Sequence, residues 1–263
     1  MSRVIAVANQ KGGVGKTTTN VNLSACLAVL GKRVLTIDID PQGNTTSGLG
    51  IDKNHAKYSI YDIIVNGVDA KDTILHTSVK NLDIIVSKIQ LAGAEIELVP
   101  MMAREMILKK ALADIKEDYE YILIDCPPSL GLITINALTA ADKLLVPIQC
   151  EYYALEGLTQ LMSTYELVKK NLNPNLEIEG VVLTMFDART NLSIQVVDEV
   201  KKHFRNKVYT TIIPRNVRLG EAPSHGVPVI LYDPKCIGAE AYTDLAKEMI
   251  ANEEDEEGEE IWR

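Results

Sequence analysis

The run Gln10-Lys11-Gly12-Gly13-Val14-Gly15-Lys16-Thr17-Thr18 lies between a strand-like apolar stretch, Val4 to Ala8, and a helix-like stretch, Asn22 to Leu30. A strand, a glycine-rich turn and a helix in that order leave little freedom. The strand must be buried, and the helix must pack back on its sheet. The glycines let backbone N–H groups wrap phosphate oxygens, and the helix N-terminus adds partial positive charge. Lys16 is placed to reach those oxygens, and the Thr17 hydroxyl to complete a Mg²⁺ shell. The common pattern G-x-x-x-x-G-K-[ST] is not met, because position 10 is Gln. Lys11 supplies a second cation just before the glycines.

The rest of the chain extends the same theme. Val4–Ala8, Arg33–Ile37, Leu82–Val86, Tyr121–Ile124, Lys143–Ile148 and Gly180–Met185 predict buried strands, and Thr18–Leu30, Arg104–Lys116, Leu132–Ala141 and Ala154–Lys170 predict helices. This alternation predicts an α/β fold: a mostly parallel, twisted sheet with helices on both faces. Residues 50–80 read as a surface insertion of short helices. In the irregular stretch 186–226, a helix is expected over about Asn191 to Phe204 and a short strand over Val208–Ile212. Residues 1–251 are expected to form one domain. Residues 252–263 hold a run of seven acidic groups, Glu253 to Glu260, and are expected to form a disordered, solvated tail.

The formal net charge of −9 is therefore concentrated at the C-terminus. Four cysteines, Cys26, Cys126, Cys150 and Cys236, show no C-x-x-C, which suits reduced thiols in a cytoplasmic protein. No signal peptide is expected before the first strand, and no apolar run approaches the ~20 residues of a membrane span.

Two acidic sites complement the loop. Tyr121-Ile122-Leu123-Ile124-Asp125 is an apolar strand ending in Asp, and Asp125 is expected to hold a water on Mg²⁺. Val34-Leu35-Thr36-Ile37-Asp38-Ile39-Asp40 offers two carboxylates on one side of a strand. Either can support the metal shell while the other orients water at the γ-phosphate. Between Arg189 and Arg218 stand Arg189, Lys201, Lys202, Arg205, Lys207, Arg215 and Arg218, opposed within that window by Asp198 and Glu199 alone. Such a cluster suits either a solvated helix face or sequence-independent contact with phosphates.

The K-G-G-x-G-K-T loop resembles the deviant Walker A motif of the ParA/MinD class of P-loop ATPases. D-x-D-P-Q-G-N from Asp38 to Asn44 is similar to the class's switch I, and Asp125-Cys126-Pro127-Pro128-Ser129 to its switch II. The resemblance extends through Gln90–Glu95, Gln149–Gly157, Thr184–Arg189 and Ile213–Arg218, where the chain looks like the short chromosomal ParA/Soj partitioning ATPases. It implies the cofactors ATP and Mg²⁺, bound through Lys11, Gly12, Gly13, Val14, Gly15, Lys16, Thr17 and Thr18, with Pro214 and Asn216 against the adenine. Thr17, Asp38 and Asp125 would serve the metal, Asp38 through water, and Lys11, Lys16 and Asp40 the hydrolysis, Asp40 by positioning water. Lys11 would reach the nucleotide of a second subunit, giving an ATP-dependent sandwich homodimer. Arg189 and Arg218, with Lys201, Lys202 and Arg205, would bind double-stranded nucleoid DNA non-specifically, and a ParB-type centromere-binding partner would stimulate hydrolysis and release. A MinD-like membrane-associated ATPase is the alternative. It needs a basic amphipathic C-terminal helix, whereas the C-terminus here is rich in Glu and Asp, so no membrane partner is expected. An iron–sulfur ATPase needs paired cysteines that the chain lacks, and a metabolic ligase needs an added substrate site.

Overall fold

The computed structural model describes residues 2–151 and 156–261. Seven strands form one sheet: β1 (Arg3–Val7), β2 (Val34–Asp38), β3 (Ile74–His76), β4 (Leu82–Ile85), β5 (Tyr121–Asp125), β6 (Lys143–Gln149) and β7 (Glu177–Thr184). Their spatial order is β3-β4-β2-β5-β1-β6-β7. All neighbours run parallel except β3, which lies antiparallel on β4. β1 is central, and the glycine-rich loop leaves its C-terminal end, where open α/β sheets place their ligands. Asp38 and Asp125 stand opposite each other in register at the ends of β2 and β5, and Val7 faces Asp125 from β1.

Helices cover both faces. They are α1 (Lys16–Val29), α2 (Asn44–Gly48), α3 (Ile60–Ile64), α4 (Leu91–Leu98), α5 (Ile107–Leu112), α6 (Leu132–Ala140), α7 (Glu156–Asn171), α8 (Asn191–Phe204), α9 (Val217–Glu221), α10 (Val229–Tyr232) and α11 (Ile237–Ile261). One core packs Leu35, Ile37, Ile122, Ile124 and Val146 of the sheet under α3–α8; the other packs Ile5, Val7, Leu123 and Val182 under α1 and α11. The strand residues alternate between the two cores, as a sheet buried on both sides requires.

Four details differ from the sequence expectation. The helix expected over Arg104–Lys116 is broken: a 3₁₀ turn at Arg104–Met106, α5, and a second 3₁₀ turn at Lys116–Asp118. The strand expected over Val208–Ile212 is reduced to a single parallel bridge, Val181 with Val208. Its next donors are diverted, because the Glu248 carboxylate accepts the N–H groups of Thr210 (2.6 Å) and Thr211 (2.9 Å). Residues 50–80 include β3 and a buried α3, whose Ile60, Ile63 and Ile64 are at most 2% exposed, so this segment is part of the core. Finally, α11 continues through the acidic segment to Ile261 where disorder was expected from residue 252. Glu253 is tied back to the sheet by the Tyr121 hydroxyl and by Arg3 Nε at 2.9 Å. The expected start of α7 at residue 154 lies outside the described residues. No helix among the described residues is long and apolar enough to cross a membrane.

Candidate functional site

The loop after β1 closes on itself. Asn9 anchors it by donating to the Pro147 carbonyl (2.8 Å) and accepting the Lys11 N–H (3.0 Å). Gly13 and Gly15 adopt φ of +75° and +88°, a left-handed conformation that L side chains resist, and Gly15 caps α1. Val14 is buried, and its carbonyl accepts the Thr184 hydroxyl at 2.8 Å. Lys16 is 7% exposed, and its ammonium donates to the Lys11 carbonyl at 3.1 Å. Burial lowers the Lys16 pKa, and the nearby negative charges of Asp125 and Asp40 oppose that shift. Gly12 and Gly13 are exposed, with open space where a side chain would begin. The Lys11 side chain is half-buried and has no hydrogen bond or ion pair among the described residues.

Behind the loop sits a buried polar cluster. Asp38 and Asp125 are both fully buried. Asp38 Oδ2 accepts the Thr46 N–H (2.8 Å) and hydroxyl (2.7 Å), and Oδ1 accepts the Asp40 N–H (3.2 Å). Asp125 Oδ2 accepts the Thr45 hydroxyl at 2.8 Å, whereas Oδ1 is buried without a partner. Desolvation raises the pKa of both carboxyls. At Asp125 the Asp38 charge adds to the shift while the Thr45 and Thr17 hydroxyls oppose it; at Asp38 the Thr46 bonds oppose it. Asp40 lies just past the end of β2, in a turn where its side chain accepts the Gln42 N–H (2.9 Å) and its carbonyl the Gly43 N–H (2.8 Å). Asp38 and Asp40 are therefore joined by a backbone bond across a strand end, where strand alternation alone had been expected to align them.

An unpartnered carboxylate oxygen beside Thr17 and a buried lysine fits a hard divalent cation held through water. Among the described residues no group of three or more His, Cys, Asp or Glu side chains is arranged to hold a metal alone. A magnesium ion here would draw further ligands from phosphate oxygens and water, as that ion usually does.

Beside the loop, a cavity of about 210 Å³ is lined by Gly15 and Thr18 at one side, by Pro214 and Asn216 at another, and by Thr184, Met185 and Tyr242. Sequence reasoning reached Pro214 and Asn216 only by resemblance, and gave no role to Thr184, Met185 or Tyr242. Phe186 and Pro214 are joined by a parallel bridge, which brings the segment after β7 against the segment before α9. Asn216 caps α9 by accepting the Arg218 N–H at 2.8 Å.

That bridge also sets the segment that leads to Arg189 against the segment that leads to Arg215 and Arg218. Arg189 precedes α8 and Arg218 lies on α9. Lys201 and Lys202 lie near the end of α8, with Arg205 just after it, and all five side chains are exposed. Several meet carboxylates, and those of Arg189 and Arg218 come from outside the 189–218 window. Arg189 forks onto Asp187 (2.8 and 2.6 Å), holding that carboxyl well below the usual range. Arg218 pairs with Glu221 (2.7 Å) and Asp233 (3.2 Å), and Lys202 with Glu199 (3.3 Å). The local charge is thus more balanced than the count along the sequence.

A family model described as an AAA domain matches residues 2–178. The chain is 67% identical over 252 residues to the sporulation initiation inhibitor protein Soj of Bacillus subtilis, covering 96% of this chain and 100% of that protein. It is 54% identical over 255 residues to the chromosome partitioning protein ParA of Caulobacter vibrioides, covering 96% of each. Among solved structures it is similar to the cobyrinic acid a,c-diamide synthase of Mycobacterium smegmatis with bound ADP and magnesium, with a TM-score of 0.83, 38% identity, and 94% and 93% of the two chains covered. With the doubled-lysine loop, the two aspartate segments and this identity along nearly all its length, the chain belongs to the ParA/Soj family of P-loop ATPases.

Proposed function

We propose that this chain is a Mg²⁺-dependent ATPase of chromosome partitioning that cycles between a monomer and an ATP-bound dimer on DNA. The observation that carries the reading is the closed Lys11–Thr18 loop, with the free oxygen of Asp125 buried behind it. The partitioning role rests on the 67% and 54% identities to Soj and ParA, which exceed the identity to the synthase.

In this reading the loop N–H groups and Lys16 bind the β- and γ-phosphates, and Thr18, Pro214 and Asn216 border the nucleoside. Thr17 and Asp125 would hold the magnesium, Asp125 through water. When bound, that ion neutralises charge on the phosphates and polarises them for displacement. Asp38 has both oxygens engaged by Thr46 and Asp40, so it supports the metal by fixing the loop that carries Asp40. Asp40 orients water at the γ-phosphate. Catalysis of this kind is mainly positioning. The ammonium of Lys11, unpaired among the described residues, is available to the phosphates of a second copy, so nucleotide occupancy favours the dimer.

The dimer doubles an array of exposed cations that includes Arg189, Lys201, Lys202, Arg205 and Arg218. Duplex DNA competes with Asp187, Glu221 and Asp233 for the two arginines, so single contacts are weak and a dimer is needed to sum them. A ParB-type partner accelerates hydrolysis and returns the protein to the monomer, which gives a cytoplasmic pool and a nucleoid-bound pool. The test is duplex binding by fluorescence anisotropy across a salt series. Arg189→Glu is expected to retain ATP-dependent dimerisation and to lower DNA affinity about tenfold or more, with a shallower salt slope. Unchanged binding across the series contradicts the DNA surface.

A further inference from the structure

Thr45 has no part in the ATPase reading so far, yet its hydroxyl holds one oxygen of Asp125, with Thr17 the other hydroxyl acting on that carboxyl. Its hydroxyl donates to Asp125 Oδ2 at 2.8 Å. Asn20, on α1, donates through Nδ2 to Thr36 Oγ1 at 2.6 Å and to Thr45 Oγ1 at 3.4 Å. Asn20, Thr36, Thr45 and Asp125 are all fully buried. A hydroxyl has a single proton, and an amide NH₂ can only donate. Because Asn20 occupies a lone pair of Thr45 Oγ1, the Thr45 proton is left for Asp125. The terminal torsion of an aspartate is broad and roughly two-fold, so a carboxylate without such a partner has no fixed face. With Oδ2 held, Oδ1 is left as the unpartnered oxygen.

The elements involved add a second consequence. Thr45 lies on α2, directly after the Asp40 turn, and the neighbouring Thr46 ties the same helix to Asp38 and to the Ser87 N–H (3.1 Å). Asp125 ends β5. The Thr45 bond therefore joins the segment bearing the water-positioning carboxylate to the segment bearing the metal-facing one.

We infer that Thr45, oriented by Asn20, is a positioning residue for the ATPase: it turns Asp125 so that Oδ1 faces the metal-bound water, and it couples that orientation to the Asp40 loop. The inference rests on the reading of Asp125 as the carboxylate serving magnesium. Residues that orient a metal-serving group typically change metal affinity or activity 10–100-fold when removed.

The test uses the full chain and equilibrium binding of a fluorescent ATP analogue, titrated with Mg²⁺ and monitored by anisotropy, so that no turnover is needed. Circular dichroism melts establish that each variant folds. Thr45→Val keeps the shape and removes the hydroxyl, and it is expected to raise the half-saturating Mg²⁺ concentration by about tenfold or more. Thr45→Ser keeps the donor and is expected to remain within about twofold of the parent, well under the loss for a missing orienting group. In an Asp125→Asn background, Thr45→Val is expected to add no further change. If Asp125→Asn raises the Mg²⁺ requirement but Thr45→Val does not, or if Val and Ser shift it equally, the role of Thr45 is overturned. If Asp125→Asn itself leaves the Mg²⁺ requirement unchanged, the failure lies in the reading of Asp125 beneath it. Should Thr45→Val fail to fold, Thr45→Ser carries the decision: a Mg²⁺ requirement raised about tenfold despite the retained hydroxyl overturns the role, and a parental one supports it.

Discussion

Asp38 and Asp125 lie side by side at the ends of two paired strands, both fully buried, with one buried lysine nearby. Two carboxylates in such a place resist ionising together, and their pKa values are raised by desolvation and, at Asp125, by the neighbouring charge. The sign of the stability effect follows. A carboxyl whose folded pKa is raised stabilises the fold fully below its unfolded value, ~4, and loses that contribution as pH rises through the folded value. The nucleotide-free chain is thus expected to melt at lower temperature at pH 8 than at pH 6. Asp125→Asn should flatten this slope, whose limit is about 1.4 kcal/mol per pH unit for one proton. A variant slope equal to the parent's would contradict the strained pair. At this scale the sequence was informative about Lys16, Thr17 and Asp125, because each follows a buried strand or opens a helix. It was silent about Asn20, Thr45 and Thr46, whose hydroxyl and amide groups look like ordinary turn and helix residues until three separate elements converge on the two aspartates.

At the scale of elements, the switch I helix α2 touches the segment beyond α9 through bare backbone. A Cβ at Gly50 would stand 2.6 Å from the Gly226 carbonyl oxygen, and Gly50 has φ of +75°. Gly67 has a similar φ of +68° but open space around it. Gly50→Ala is expected to cost more stability than Gly67→Ala: both meet backbone strain of about 1–3 kcal/mol, and only the first must also push α2 away from residue 226. Equal shifts of the denaturation midpoint would remove the close contact from the account. Elements were most legible where periodicity was strong. α8 was bounded at Asn191 and Phe204, and the buried parallel strands stood out as Val/Ile/Leu runs. β3 was missed because Ile74–His76 is three residues long, at the sheet edge and antiparallel. The capping box of Ser59 and Asp62 before Ile63 and Ile64 was a usable signal for α3 that composition obscured. The false strand at Val208–Ile212 came from β-branched residues whose N–H groups go instead to Glu248, a partner 37 residues or more away in sequence.

For the whole molecule, the exposed glycines at 12 and 13, a Lys11 ammonium with no partner among the described residues and the exposed cations of the 189–218 stretch all describe a protomer with surfaces left open. A switch of this kind works only if the nucleotide binds the dimer more tightly than the monomer. Lys11 is the residue through which that difference would arise, and its loss should separate nucleotide binding from assembly. The most direct measurement is the mass of the Asp40→Ala protein by light scattering, with Mg·ADP and with Mg·ATP, alone and with a random-sequence duplex, beside the Lys11→Ala, Asp40→Ala double variant. The account predicts monomer with ADP, dimer with ATP, association of that dimer with the duplex, and a double variant that binds ATP yet stays monomeric. A mass that does not respond to ATP, or a double variant that dimerises like the single one, would contradict it.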